Sequence, residues 1–325
     1  MMVTNNHLIK IVSSDFNNLR LDYWLKKNFP DTPYFLLCKL IRKGVIRVNG
    51  SRFSQSKIVQ ENDKVKIPNF LVKSVKSDKT QIFSDSYKKK ALGWIYYIDK
   101  DIIVLNKPRG LPVQGGTRVN LNIDLILSIF KFDYLNKPKL VHRIDKNTSG
   151  LLLIARTLDS AKYLTKLFKT REINKFYITI VEGNLKKKEG IINNTIKDKD
   201  NLLLSRTLYK VLKFKDNYSL VVAKPLTGRK HQIRKHFSQI GSPILGDLKY
   251  FSNYRKESIF NSSLLNLHAF KLIFNDINGI KKNFSVNPPE DMMTNIDKFG
   301  FDLKNINFDF FSEANDWPII KNVRV

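Results

Sequence analysis

Apolar residues along this chain recur in two periods, and the switch between them marks out its elements. From Leu19 the spacing is helical: Leu21, Leu25 and Phe29 fall four apart with Trp24 alongside, predicting an amphipathic helix over Leu19–Asn28 that Pro30 ends. Pro33 opens a second helix, Tyr34–Lys43, with Leu36, Leu37, Leu40 and Ile41 on its inner face and Gly44 as its C-terminal stop. Val45–Gly50 then reads as a strand entering an Asn-Gly hairpin turn, and Asp63–Ile67 as a second short strand. Residues 1–18 carry no clear pattern. Residues 69–90 are polar, rich in Ser and Lys and without a sustained period, which predicts a linker.

Past that stretch, Trp94–Ile98 and Ile102–Asn106 read as a strand hairpin, and Lys107–Val113 as a loop leaving it. Asn122–Phe130 and Thr157–Lys169 are helical, Leu151–Ala155 is a short buried strand, and Asn174–Gly183, Leu202–Phe214 and Tyr218–Ala223 are further strands. Gly183–Asn201, rich in Lys and Asn, reads as a loop with a short strand. A helix after Gly228 carries Ile233, Phe237 and Ile240 at i, i+4 and i+7, facing the core. Leu267–Phe274 is a last strand, Pro288-Pro289 closes the core, and the remainder reads as a helical or loose tail. The expected organisation is a small unit over 19–68, a linker over 69–90, a large domain over 91–295 and a tail over 296–325.

Composition narrows the function. With 325 residues, 42% of them hydrophobic, a proper core is available, and a formal net charge of +28 points to a polyanionic partner, nucleic acid first. The one cysteine, Cys38, excludes an internal disulfide and a cysteine-rich zinc site. His7, His142, His231, His236 and His268 form no His-Glu-x-x-His pair, so no metal is expected. No Gly-x-x-x-x-Gly-Lys-Ser/Thr loop is present for a nucleotide triphosphate, and no Gly-rich loop follows a first parallel strand as an RNA methyltransferase would need. The first ten residues lack a signal pattern, and no apolar run approaches the ~18–20 residues of a membrane span. A soluble, cytoplasmic protein without a membrane is the expectation.

The candidate chemistry centres on one acid. Between Tyr134 and Leu158 the only carboxylate is Asp145, with Arg143 and Lys146 beside it and Lys137, Lys139 and Arg156 further out. It stands before the turn residues Asn147-Thr148-Ser149-Gly150, which feed the buried run from Leu151. Nearby cations favour the ionised form, and a fixed carboxylate in a basic setting suits a nucleophile acting on a polyanion. For an arbitrary Asp, a turn or surface ion pair is the commoner role. Arg234 lies beside the apolar face of its helix and needs an acceptor there; Asp145 is the chemically suitable one. Tyr177 is either a sheet residue with a bonded hydroxyl or a ring that stacks on a base.

Two resemblances add to this. Arg20-Leu21-Asp22, Ile41-Arg42-Lys43-Gly44, Val48-Asn49-Gly50 and Gln60–Val65 resemble an S4 RNA-binding domain. Leu19–Pro68 holds 11 Lys or Arg against 4 Asp or Glu, clustered as Lys39, Arg42, Lys43, Arg47 and Arg52, which suits a phosphate backbone. The ordered set His142-Arg143-Ile144-Asp145-Lys146-x-Thr148-Ser149-Gly150, Gly228-Arg229-x-His231-Gln232-Ile233-Arg234, Pro243–Asp247 and Leu267-His268-Ala269 resembles the RluA family of pseudouridine synthases. With the S4 segment in front, it is similar to the RluC and RluD branches acting on large-subunit (23S) ribosomal RNA, nearest RluC.

The resemblance implies an α+β catalytic domain on a mixed, largely antiparallel sheet with flanking helices, and a small αα-β S4 domain before it. It implies isomerisation of uridine to pseudouridine in RNA with no cofactor, by a monomer acting on free rRNA or assembly intermediates. Carried over by motif, Asp145 is the nucleophile, Arg234 pairs with it, and Tyr177 stacks on the target base and takes part in moving the proton from C5. Arg143 fills the gap left by the extruded nucleotide, unless it is a plain phosphate contact, and Leu267 forms an apolar wall opposite Tyr177. His142, Arg229 and His231 are expected RNA contacts in the catalytic motifs, as are Arg42, Lys43 and Arg47 in the S4 segment. Asn147 stands where many relatives carry an acid. The rivals are a non-catalytic RNA-binding or ribosome-assembly protein, and a synthase of tRNA or small-subunit RNA.

Overall fold

The computed structural model describes all residues except 1–2, 5–6, 31, 74–82, 116–120, 135, 199–200, 251–262, 313 and 321–325. The chain divides into two units, Met1–Ile82 and Phe83–Val325.

In the first unit, β1 (Val3–Thr4), β2 (His7–Ile11), β4 (Arg47–Val48) and β6 (Lys64–Pro68) form a sheet in the order β1-β2-β6-β4, and β3 (Leu19–Arg20) pairs with β5 (Ile58–Val59) apart from it. Helix α1 (Leu21–Asn28) buries Leu21, Trp24 and Leu25, and α2 (Tyr34–Arg42) buries Leu37, Leu40 and Ile41 into the same core. Gly44 follows α2 at φ +69°, the left-handed region that glycine enters without a Cβ penalty. The unit starts earlier than Leu19: β2 pairs along β6 and buries Leu8, a signal of one residue that no periodicity reveals.

The expected linker over 69–90 is largely structured. Helix α3 (Asn69–Lys73) follows β6, with Leu71 buried in the first core. Helix α4 (Asp85–Leu92) starts at Ser84, whose hydroxyl accepts from the Tyr87 N–H, and sets Phe83, Tyr87 and Ala91 against the second core. Those three recur every fourth residue, but the Ser and Lys between them masked the period. Residues 74–82 of that expectation lie outside the described residues.

The second unit is an α+β domain. Its strands are β7 (Ile95–Ile98), β8 (Ile102–Lys107), β9 (Lys139–Leu140), β10 (Ser149–Ala155), β11 (Asn174–Glu182), β12 (Glu189–Asp198), β13 (Asn201–Lys215), β14 (Tyr218–Pro225), β15 (Leu267–Asn275), β16 (Lys281–Ser285) and β17 (Ile319–Ile320). Among the described residues they make one 11-stranded sheet, ordered β17-β12-β13-β14-β11-β15-β10-β8-β7, with β16 on β15 and β9 on β10. Two pairs, β10–β15 and β12–β17, are parallel and the rest antiparallel. Helices α5 (Ile123–Ile126), α6 (Leu158–Thr170), α7 (Gln232–Gln239) and α8 (Glu290–Asp297) complete it. Every residue of β10 is buried, because both faces are covered: Leu152 and Ile154 pack in one cluster, and Leu151 and Leu153 with α6 in another.

Two expectations here are corrected. Gly183–Asn201 contains a ten-residue strand, β12, paired along β13. The described part of the tail expected over 296–325 belongs to the domain: Phe299, Leu303, Ile306, Phe311 and Trp317 bury in the core that holds Phe176 and Ile178 of β11, and β17 adds to the sheet beside β12, while 321–325 lie outside the described residues. Leu303 and Phe311 sit in short 3-10 turns, and Phe299, Ile306 and Trp317 lie outside any helix or strand, so these residues follow neither period. Among the described residues, no helix is long and apolar enough to cross a membrane.

Candidate active site

Asp145 stands on the connection from β9 to β10. Its own carbonyl accepts the Thr148 N–H at 3.1 Å, closing the predicted turn, and Ile144 before it is buried. The turn is tied down from below. Lys107, at the end of β8, is fully buried, and its ammonium donates to the carbonyls of Pro108 (2.7 Å), Leu111 (2.9 Å) and Lys146 (3.2 Å). Gly110 N–H reaches the same Lys146 carbonyl at 2.9 Å. Three protons meet three acceptors, so the lysine joins the loop after β8 to the Asp145 turn. Burial brings its pKa down to about 7, and the Asp145 charge opposes that drop. By pattern alone Lys107 belongs to the loop after the strand, whereas here it ends β8. The available signal was its parity, since it continues the inward face of Ile103 and Leu105.

Above the turn lies a cleft of about 470 Å³. Tyr177 of β11 and Leu267 of β15 form one side; their strands pair in register, Thr179 opposite Leu267 and Tyr177 opposite Ala269. Burial and the Asp145 charge both push the Tyr177 hydroxyl up, so it keeps its proton. The start of α7 and the loop before it supply His231, Gln232, Arg229 and Lys230. The lining brings together six cations, Arg143, Lys169, Arg171, Lys175, Arg229 and Lys230, while Asp145 is the one carboxylate among its described residues. Lys169, Arg171 and Lys175, at the α6–β11 junction, escaped the sequence reading because they lie outside its motifs.

The expected pairing of Arg234 with Asp145 is corrected. Arg234 is buried and gives its fork to Asp247: Nε to Oδ2 at 2.8 Å and Nη2 to Oδ1 at 2.6 Å. Asp247 Oδ1 also accepts the Lys249 and Tyr250 N–H groups, and the Arg234 guanidinium lies 5.0 Å from the Tyr250 ring centroid. Arg234 therefore acts on Asp145 through space. A carboxylate thirteen residues along took the bidentate geometry, and only Asp247's place in the Pro243–Asp247 motif hinted at it.

The direction in which the Asp145 pKa moves also differs from the expectation. Its side chain is only 21% exposed, and burial raises its pKa above the ordinary carboxylate value. Arg234 pulls hardest in the other direction, then Arg143, the His231 backbone N–H and Lys107. The basic setting opposes the desolvation without overcoming it.

The remaining candidates separate by environment. His142 lines the cleft, but its Nε2 accepts the Leu153 N–H at 2.8 Å and its ring stacks on Phe168 with centroids 4.4 Å apart. Burial lowers its pKa to about 3, so it is a neutral residue of the cleft wall. His231 faces Asp145, Nε2 to Oδ1 at 3.9 Å. Arg143 and Arg229 are exposed at the mouth. Arg42, Lys43 and Arg47 are exposed on the first unit, where Arg47 donates to the carbonyls of Gly44 (3.2 Å) and Gly50 (3.3 Å). Among the described residues no group of three or more His, Cys, Asp or Glu is placed to hold a metal ion.

Comparison with known proteins gives the family. Residues 101–239 match the family model for RNA pseudouridylate synthase. A ribosomal large subunit pseudouridine synthase C of Rickettsia conorii is 37% identical over 271 residues, covering 77% of this chain and 87% of that protein. One of the same name from Buchnera aphidicola subsp. Schizaphis graminum is 33% identical, covering 83% and 90%. Among solved structures, Human RNA Pseudouridylate Synthase Domain Containing 4 matches with a TM-score of 0.57 at 27% identity, covering 67% of this chain and 97% of that one. The chain belongs to the RluA family of RNA pseudouridine synthases. Within it, the relatives place the chain with the RluC type.

Proposed function

We propose that the cleft isomerises uridine to pseudouridine in large-subunit ribosomal RNA, with Asp145 as nucleophile. The observation that carries this is a lone, largely buried carboxylate on a fixed turn, inside a cleft lined by six cations. A base cannot rotate while stacked in a helix, so the target nucleotide is everted into the cleft, and exposed Arg143 fills the gap. The carboxylate acts on the ribose side while the N1–C1′ bond breaks. The uracil turns against Tyr177 and Leu267, and C5 bonds to C1′. C5 then gives up its proton and N1 gains one, so the atoms balance. Tyr177, protonated at rest, is no standing base: its hydroxyl takes the C5 proton only as it releases its own, toward the N1 that gains one. Arg234 supports Asp145 by its field, and Arg229 completes the RNA-facing rim.

The relatives' names support large-subunit RNA as the substrate. The exposed Arg42, Lys43 and Arg47 of the first unit support its reading as an S4-type RNA anchor. We assign the enzyme to the cytoplasm, acting as a monomer on free rRNA or assembly intermediates. The test is Asp145→Ala. Cells carrying it in place of the wild type lose specific pseudouridines from large-subunit RNA. A full complement of modification from that variant overturns the reading, and mapping in cells lacking the gene separates it from a tRNA or small-subunit target.

A further inference from the structure

One residue of the cleft carries more structure than an RNA contact requires. His231 precedes α7 with φ 55° and ψ 31°, a left-handed conformation uncommon for residues other than glycine, though Asn, Asp and His enter it more readily than most. A non-glycine residue held there persists only where its surroundings over-determine it, and such positions cluster at functional sites. The surroundings do so here. The backbone N–H of His231 points to the Asp145 carboxylate, and the imidazole lies between two defined groups. Its Nδ1 is 2.8 Å from the Tyr250 hydroxyl, and its Nε2 is 3.9 Å from Asp145 Oδ1. Tyr250 is itself fixed: its N–H bonds Asp247, its carbonyl accepts from Ser238 Oγ at 2.8 Å, and its ring lies under Arg234.

That arrangement selects a tautomer. An Nε2 lone pair facing an ionised carboxylate would be repelled, so the proton belongs on Nε2 and the bare Nδ1 accepts from the Tyr250 hydroxyl. The tyrosine keeps its proton to donate, because burial raises its pKa. The ring stays neutral. Burial, then Arg234, Lys249, Lys230 and Lys235, bring the histidine down to about 4.

We propose that His231 is a positioning residue for Asp145: its imidazole, locked in one tautomer by Tyr250, aims Nε2–H at Oδ1 and closes the 3.9 Å gap when a uridine fills the cleft and displaces water. This rests on Asp145 being the nucleophile. Catalytic hydrogen bonds in free enzymes are often long and tighten with substrate. The contact engages Oδ1, leaves Oδ2 to meet the ribose, and favours the charged form against the burial that opposes it. Asp247 thereby serves both partners of Asp145, holding Arg234 directly and His231 through Tyr250.

The test is single-turnover release of tritium from C5-labelled uridine in transcribed large-subunit RNA, across pH, with RNA affinity measured alongside. The variants are H231A, H231Q, Y250F and D145A, each checked by thermal melting. H231A lowers the rate on the order of ten- to a hundredfold with RNA affinity nearly unchanged. It also moves the acid limb up by about one pH unit, because Asp145 loses a donor to its charged form. The other groups around that carboxylate, Arg234, Arg143, Lys107 and Tyr177, remain in place. H231Q, which keeps a donor near the Nε2 position, recovers rate and acid limb, and Y250F shifts both in the H231A direction by less. An acid limb that stays put in H231A, or a loss confined to RNA affinity, overturns the proposal and leaves His231 an RNA contact. An active D145A overturns the reading of the site itself, a different result in the same assay.

Discussion

Arg234 and Asp247 form an ion pair beside the cleft that is buried on both sides, with side-chain exposures of 8% and 0%. Breaking such a pair by removing one charge leaves the other uncompensated, at about 3–5 kcal/mol. Asp247→Asn keeps the shape and removes the charge, so chemical denaturation should show a loss of that order in the second unit. Arg234→Lys should not rescue function, because a point ammonium cannot make the two-pronged contact that Nε and Nη2 make. A D247N variant as stable as the wild type would contradict this account of the cleft. At this scale the sequence showed Asp145 and concealed its support. A lone acid in a basic turn stands out by its neighbours along the chain. The acceptor for Arg234 is a question of distance, and chemistry alone chose a plausible carboxylate on the wrong loop. Lys107 was hidden because a lysine ending a strand is ordinarily solvated, whereas here three carbonyls surround it.

The turn bearing Asp145 is steady because the strand after it is locked into the sheet. β10 and β15 pair in parallel with Ser149 opposite His268 and Gly150 opposite Ala269. Ser149 Oγ bonds His268 Nδ1 at 2.9 Å, and His268 Nε2 bonds the Val286 carbonyl at 2.9 Å. Gly150 has φ +105°, and a Cβ there would lie 2.3 Å from the Ala269 carbonyl oxygen, which is backbone and cannot swing aside. Gly150→Ala should therefore cost at least the ~1–3 kcal/mol of a strained backbone, and should slow the reaction by shifting the turn five residues away. A melting temperature and rate matching the wild type would refute both. β10 itself was legible, five apolar residues with turn signals before them. β12 was not, because its inward face is partly polar: Asn194 is buried and donates to Gln239 of α7 at 3.3 Å, interrupting the apolar alternation. Polar residues beneath α7 continue on β13, where Ser205 and Thr207 hold His236 by its two ring nitrogens at 2.7 and 2.9 Å.

Across the molecule, three such histidines make the second unit sensitive to acid. His142, His236 and His268 are buried in hydrogen bonds, and burial lowers their pKa values to about 3, 4 and 4 from 6.5. In the unfolded chain each recovers its ordinary value. A folded pKa below the unfolded one means that unfolding takes up protons between the two. The stability these groups contribute is complete above pH 6.5, declines below it, and is gone once pH falls through the folded values. Each contributes a slope of about 1.4 kcal/mol per pH unit in that window, so three give about 4. His231 of the cleft, also lowered to about 4, adds a fourth such slope; Asp145 runs the other way, since its raised pKa lets the fold bind a proton early, but it is one group against four. The formal charge of +28 adds repulsion as further protons bind, and the same charge makes RNA affinity fall steeply with salt. Urea unfolding followed by Trp94 and Trp317 fluorescence should therefore show the second unit losing stability steeply from pH 6.5 to 5 at fixed ionic strength. His236→Gln should flatten that slope by about one proton's worth, at some cost in stability at neutral pH. Stability that stays level between pH 7 and 5 would mean that these rings are protonated in the fold, and the neutral hydrogen-bond assignments beneath the cleft would then fail with them.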